Sequence, residues 1–161
     1  KIQIIYKFSG KIKRDSSEYL YSFCKYNQEF IDNKSLILLG ANFSSMDLIR
    51  YCKIIIGFQT TGMIEAMNTS NQIIYTAWGE LYEEIGSTLL PIANEDCLDV
   101  CSSKENFFNI LERAILRESK NIKYTDFSSH ERKKLIEKYF TNSDGNVSKR
   151  LTEIISKRII N

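Results

Sequence analysis

The sequence predicts an α/β sandwich with a mainly parallel sheet, helices on both faces and a helical tail. Apolar runs of strand length alternate along the chain with amphipathic helical stretches. One run, Lys53-Ile54-Ile55-Ile56-Gly57-Phe58, carries three consecutive isoleucines without alternation, the pattern of a strand buried on both faces at the centre of a parallel sheet. The final stretch shows only helical spacing. Right-handed crossovers then distribute the helices over both faces, making three layers.

The elements follow in order. Lys1 to Lys7 reads as a strand, ended by Phe8-Ser9-Gly10. Ser16 or Ser17 caps a helix to about Ile31, with Leu20, Phe23, Tyr26 and Phe30 at helical spacing, and Asp32-Asn33 breaks it. Ser35 to Leu39 is a short apolar strand bounded by Gly40. Ser44 or Ser45 caps a helix through Ile49 to Cys52. The isoleucine strand leads through Gln59-Thr60-Thr61-Gly62 into a small helix, Met63 to Met67. Gln72 to Thr76 is the next strand, and Thr88 to Ile92 a further short one. Asn106 to Arg117 is an amphipathic helix, Ser128 or Ser129 caps another to Phe140, and Val147 to Ile160 is the last.

The 161 residues make one ordinary domain, and 43% hydrophobic content supplies a core. A net charge of +2 gives no argument for nucleic acid. The most basic stretch, Lys133 to Arg158, reads as the solvated face of two helices; the alternative is a surface that approaches an anionic membrane or a lipid-phosphate acceptor. Cys24, Cys52, Cys97 and Cys101 form no CxxC pair and no zinc set, so reduced thiols and a cytoplasmic protein are expected. No apolar run approaches the ~20 residues of a membrane span. No metal and no cofactor is expected. Lys1 is not a start methionine and lies at a strand, so a longer parent protein is expected.

The chemistry is expected at the turn after the isoleucine strand. Thr60, Thr61 and Gly62 would open a helix, where the first amides lack intrahelical partners and carry the positive end of the dipole. A phosphate there gains amide and hydroxyl donors together, Gly62 permits close approach, and Glu65 stands within reach of ribose hydroxyls. The plain alternative is structural: Thr60 or Thr61 is only a helix cap, with Glu65 completing a capping box from Gly62.

The run Cys52 to Tyr75 resembles a segment of bacterial surface-polysaccharide proteins: an apolar strand, Thr-Thr-Gly, two variable residues, Glu-Ala, then the strand Asn71-Gln72-Ile73-Ile74-Tyr75. It is similar to the C-terminal domains of capsular glycosyltransferases with two Rossmann-like domains. More distantly it is similar to CDP-glycerol glycerophosphotransferases and UDP-N-acetylglucosamine 2-epimerases. Three further stretches share the likeness. Ile4-Ile5-Tyr6-Lys7 resembles the strand that precedes a His-Pro turn in those proteins. Phe43 to Ile56 resembles the helix-then-strand step ahead of the Thr-Thr-Gly turn. Tyr139 to Leu151, which contains Asp144-Gly145-Asn146-Val147-Ser148-Lys149-Arg150, resembles a closing Asp-Gly-x-x-Ser-x-Arg motif.

The resemblance implies a Rossmann-like domain that binds a nucleotide-sugar donor, as one half of a surface-carbohydrate glycosyltransferase. Thr60, Thr61 and Gly62 would meet phosphate, Glu65 the ribose or sugar, and Gln59 would join them in binding the donor. Phe8-Ser9 stands where relatives place His-Pro, leaving Lys7 or Ser9 as substitutes. The acceptor, the catalytic base and a second domain would lie elsewhere, so the isolated domain is expected to have no transferase turnover. Peripheral contact with the inner membrane is the accompanying expectation for location. An epimerase-like or hydrolase-like enzyme, or a non-catalytic binding domain, are the rival readings.

Other residues carry less. Trp78 or Tyr82 either stacks on a base or packs over the sheet edge. His130 reads as an exposed helix residue, and Glu80, Glu83 and Glu84 as a solvated helix face. Ser148 and Arg150 are candidates for an interdomain cleft.

Overall fold

The computed structural model describes residues 2–7, 16–40, 42–85, 98–122, 129–140 and 145–159. Five short strands alternate with eight helices among them, and every strand pairing is parallel. The chain divides into two compact units, Lys1–Leu48 and Ile49–Asn161.

In the first unit, β1 (Ile4–Lys7) pairs with β2 (Leu36–Leu39), Ile4 opposite Leu36 and Lys7 opposite Leu39. Parallel neighbours need a long crossover, supplied here by α1 (Ser16–Tyr26) and α2 (Gln28–Asp32). The sequence predicts one helix over this stretch; the structure breaks it at Asn27. The Asn27 amide side chain donates to the Phe23 carbonyl at 2.8 Å, and the residue leaves helical geometry at φ −113°, ψ 16°. Asparagine competes in this way for backbone groups that a helix would otherwise use. After α2, Lys34 turns left-handed at φ 57°, and Asn33 Oδ1 accepts from the Ser35 amide at 2.9 Å to start β2. Tyr6 stacks on Phe23 at 5.1 Å, tying β1 to α1.

α3 (Ser45–Tyr51) follows, with the Ser44 hydroxyl accepting from the Asp47 amide at 3.3 Å. The second unit holds a three-stranded sheet of order β3 (Ile54–Gly57), β4 (Gln72–Thr76), β5 (Asp99–Cys101). Ile55 and Ile73 are paired in register, as are Tyr75 and Val100. Successive residues point to opposite faces. Ile55, Ile73, Tyr75 and Val100 face a cluster with α4 (Thr61–Ala66) and α7 (Ser129–Tyr139), which contribute Met63, Ile64 and Leu135. Ile54, Ile74 and Cys101 face α6 (Lys104–Ser119) through Phe107, Ile110 and Ala114. Helices therefore cover both faces of this sheet. α5 (Glu80–Ile85) follows β4, and α8 (Val147–Ile159) is the last element.

Two expectations need correction. The isoleucine strand β3 is not the central one: β4 lies between β3 and β5, and Ile73, Ile74 and Tyr75 are wholly buried while Ile56 is 47% exposed. The unbroken apolar run overstates the burial of β3 because, among the described residues, that strand has one neighbour in its sheet. The short β5 also escapes sequence reading, since Asp99-Val100-Cys101 has neither the length nor the alternation of a recognisable strand. The expected strand at Thr88 to Ile92 lies outside the described residues, as does Cys97. Cys101, fully buried, has its thiol pushed up to about 11 by burial and by the neighbouring Asp99 carboxylate, so it remains a neutral packing group.

A polar knot secures the amino end of β4. The Arg132 guanidinium of α7 donates to the Thr69 carbonyl at 2.7 Å and to the Asn71 carbonyl at 3.0 Å. The buried Asn71 amide side chain donates to the Ile49 carbonyl, and buried Gln72 donates to Asp99 Oδ2 at 2.6 Å. Buried backbone carbonyls left without donors are costly, so Arg132→Met should lower unfolding free energy by about 1–3 kcal/mol. Arg132→Lys should recover only part of that, because a single ammonium cannot reproduce the planar fork. Urea unfolding of the three proteins measures this, and an unchanged midpoint in Arg132→Met would contradict it.

Candidate functional site

The turn after β3 begins with a close approach. A Cβ on Gly57 would approach Met63 Sδ to 3.1 Å and Thr60 Cγ2 to 3.2 Å, so the first turn of α4 packs directly on the end of β3. Gln59 then adopts the left-handed region at φ 46°, unusual for a residue with a side chain. Its amide side chain donates to the Tyr75 hydroxyl at 2.8 Å. The Thr76 hydroxyl donates to the Gly57 carbonyl at 3.2 Å, so the carboxyl ends of β3 and β4 are joined by two side-chain bonds.

Aromatic rings support the turn from below. Phe58 lies 5.8 Å from Tyr75 and meets Tyr82 of α5 edge-on at 6.0 Å. Tyr75 is fully buried, and burial with the adjacent Tyr82 raises its pKa, the Gln59 bond opposing the rise. It therefore stands as a neutral phenol that accepts from Gln59.

Thr60 is the N-cap of α4. Its backbone is extended (φ −121°, ψ 136°), and its Oγ1 accepts from the Gly62 amide at 3.3 Å. The Met63 amide donates to the Thr60 carbonyl at 3.0 Å. Two of the first amides of α4 thus already have acceptors, which narrows the amide-lined anion cradle that the sequence predicts. The side chains remain chemically useful: Thr60 and Thr61 are exposed, and a hydroxyl that accepts from Gly62 keeps its own proton to donate. Gly62 contrasts with Gly57. A Cβ there would meet nothing nearer than Thr60 Oγ1 at 3.6 Å, an ordinary contact, so the fold does not itself demand glycine at this position. Glu65, in the same short helix, is half-buried.

The remaining expected residues are distributed differently. Trp78 follows β4 but joins the cluster on the α6 face, with its ring 5.5 Å from Phe107, whereas Phe58 and Tyr82 beside the turn belong to the opposite face. Packing thus accounts for the Trp78 ring. Lys7 ends β1 in the first unit, and Ser9 lies outside the described residues together with Phe8. His130 is exposed in the first turn of α7, and Glu80, Glu83 and Glu84 are exposed on α5. Among the described residues no group of three or more His, Cys, Asp or Glu side chains is placed to hold a metal ion.

Sequence reading misses Tyr75 as the partner of Gln59 and Gly57 as the packing glycine. A tyrosine inside an apolar strand reads only as core, and Gly57 reads as the strand's end. The left-handed backbone at Gln59 gives a direct test. Gln59→Gly and Gln59→Ala both lose the bond to Tyr75, but glycine adopts φ 46° without the Cβ penalty. The glycine variant should therefore be the more stable by about 1 kcal/mol. Thermal unfolding of the two variants decides it, and equal stability would show that the residue does not hold this conformation in solution.

Comparison of the chain with protein-family models, curated proteins and solved structures finds no match.

Proposed function

We propose that the chain is a Rossmann-like domain that binds a nucleotide-sugar donor at the β3–α4 turn, as one half of a glycosyltransferase in bacterial surface-carbohydrate synthesis. The observation that carries the reading is the turn itself: two exposed threonine hydroxyls and a glycine that packing does not require, at the carboxyl end of a parallel strand. In open α/β sheets ligands bind outside the carboxyl ends of the strands. The opposite end of β4 is occupied by the Arg132 knot.

The chemistry follows from the groups present. Thr60 and Thr61 donate to diphosphate oxygens, and Glu65 accepts from a ribose or sugar hydroxyl. During transfer, negative charge grows on the leaving phosphate, and hydroxyl donors beside it lower the barrier by meeting that charge. The acceptor and its base belong to a second domain of the parent protein, in the cytoplasm, so the isolated domain binds donor without turnover.

A second reading has its own observation. The bond from the Gly62 amide to Thr60 Oγ1 is that of a helix cap, and a cap alone needs no ligand. Gly62→Ala separates the two. Its Cβ fits the fold, and replacing glycine in a helix favours folding by about 0.5–1 kcal/mol. The donor-site reading predicts a variant that melts no lower than wild type yet binds UDP or CDP more weakly. Thr61→Val should lose about 1–2 kcal/mol of nucleotide binding. Calorimetric titration alongside melting curves measures both. Unchanged affinity in both variants would leave Thr60 as a cap and remove the site.

A further inference from the structure

α8 presents an apolar stripe that the described chain leaves uncovered. Val147, Leu151, Ile154 and Ile155 recur at helical spacing and are each between 46% and 59% exposed. These four aliphatics line one side of a 13-residue helix, about 20 Å long. A helix of this length is marginal in water unless a surface covers its apolar side. Lys149, Thr152, Glu153 and Ser156 fall on the opposite side, so the helix is amphipathic from Val147 to Lys157.

Charge identifies the surface. α8 carries Lys149, Arg150, Lys157 and Arg158 against Glu153 alone, four basic residues to one acidic, a formal charge of +3. The whole chain carries +2, so the remainder is −1 and the basic excess lies in this one helix. A second copy of α8 would bring another +3 against the first. A nucleic acid would satisfy the charge but not the aliphatic stripe. An anionic bilayer satisfies both: aliphatic side chains sink to the boundary between headgroups and acyl chains, while the long basic side chains reach the lipid phosphates.

We infer that α8 lies in the plane of an anionic membrane surface, with Val147, Leu151, Ile154 and Ile155 inserted and Arg150 and Lys157, which flank the stripe, among the headgroup phosphates. The contact is peripheral, since no helix among the described residues is long and apolar enough to cross a membrane. The inference stands on α8 alone and is independent of the donor site.

Sedimentation of the intact chain with vesicles tests it, using phosphatidylcholine alone or mixed with phosphatidylglycerol. The chain should sediment with the anionic vesicles, stay in solution with the neutral ones, and dissociate at high salt. The double substitution Leu151→Gln/Ile155→Gln should abolish sedimentation. Lys157→Gln should weaken it on the order of fivefold. These substitutions change exposed side chains, and melting curves matching wild type show that the fold is kept. No sedimentation with anionic vesicles, equal sedimentation with neutral ones, or full binding after Leu151→Gln/Ile155→Gln would overturn the inference. So would a wild-type dimer that the same substitutions convert to monomer without any vesicle binding.

Discussion

The fork of Arg132 on two backbone carbonyls governs how the second unit is put together. β4 is the strand with a neighbour on each side and helices over both faces, and its central residues are wholly buried. A chain entering such a strand must bury peptide groups before the ladder can satisfy them. Thr69 and Asn71 are those groups, and a side chain 63 residues beyond Thr69 satisfies both. Because Arg132 sits on α7, the same contact fixes that helix against α4 and β4, and Leu135 one turn on completes the apolar cluster. Polar satisfaction and apolar packing are thus not separate contributions here: the guanidinium sets the position that the leucine fills.

This arrangement makes the two ends of the sheet unlike each other. The amino end is closed by Arg132, Asn71 and Gln72, all with protein partners. The carboxyl end is built from turns, and its bonds run sideways between strands: Gln59 to Tyr75, Thr76 to Gly57. The contrast between its two glycines separates architecture from opportunity. At Gly57 a Cβ would have to displace the Met63 and Thr60 side chains by a few tenths of an ångström; at Gly62 it would meet nothing tighter than an ordinary contact. A left-handed Gln59 adds local strain of a kind that persists where surrounding structure over-determines it, and the Tyr75 bond and the Phe58–Tyr82 contact are that surrounding structure.

What can be read in advance follows the range of the interactions involved. β2, β3, β4 and α6 fall within a residue or two of where the sequence predicts them, because their apolar period is encoded over a few residues; the Ser44 cap of α3 is local in the same way, whereas the Ser103 cap of α6 goes unread. The order of strands is not local: the isoleucine run reads as the centre, and the more mixed Gln72–Thr76 occupies it. The split at Asn27 depends on one side chain choosing a carbonyl four residues back. Arg132 gives no signal in a basic helix, since a buried fork and a solvated arginine are spelled alike. At the turn, the threonines and Gly62 are legible as a candidate site, but the partial filling of the helix start by Thr60 and the packing of Trp78 onto the α6 face depend on tertiary contacts.

Ligand chemistry belongs, on this account, to the carboxyl end of β3 and structural chemistry to the amino end of β4. A crystal structure of the chain soaked with UDP or CDP tests that division most directly. The account predicts electron density for the diphosphate beside the Thr60 and Thr61 hydroxyls, with the nucleoside toward Glu65 and no change around Arg132. Nucleotide bound elsewhere, or an empty turn at a concentration that saturates binding in solution, would contradict it.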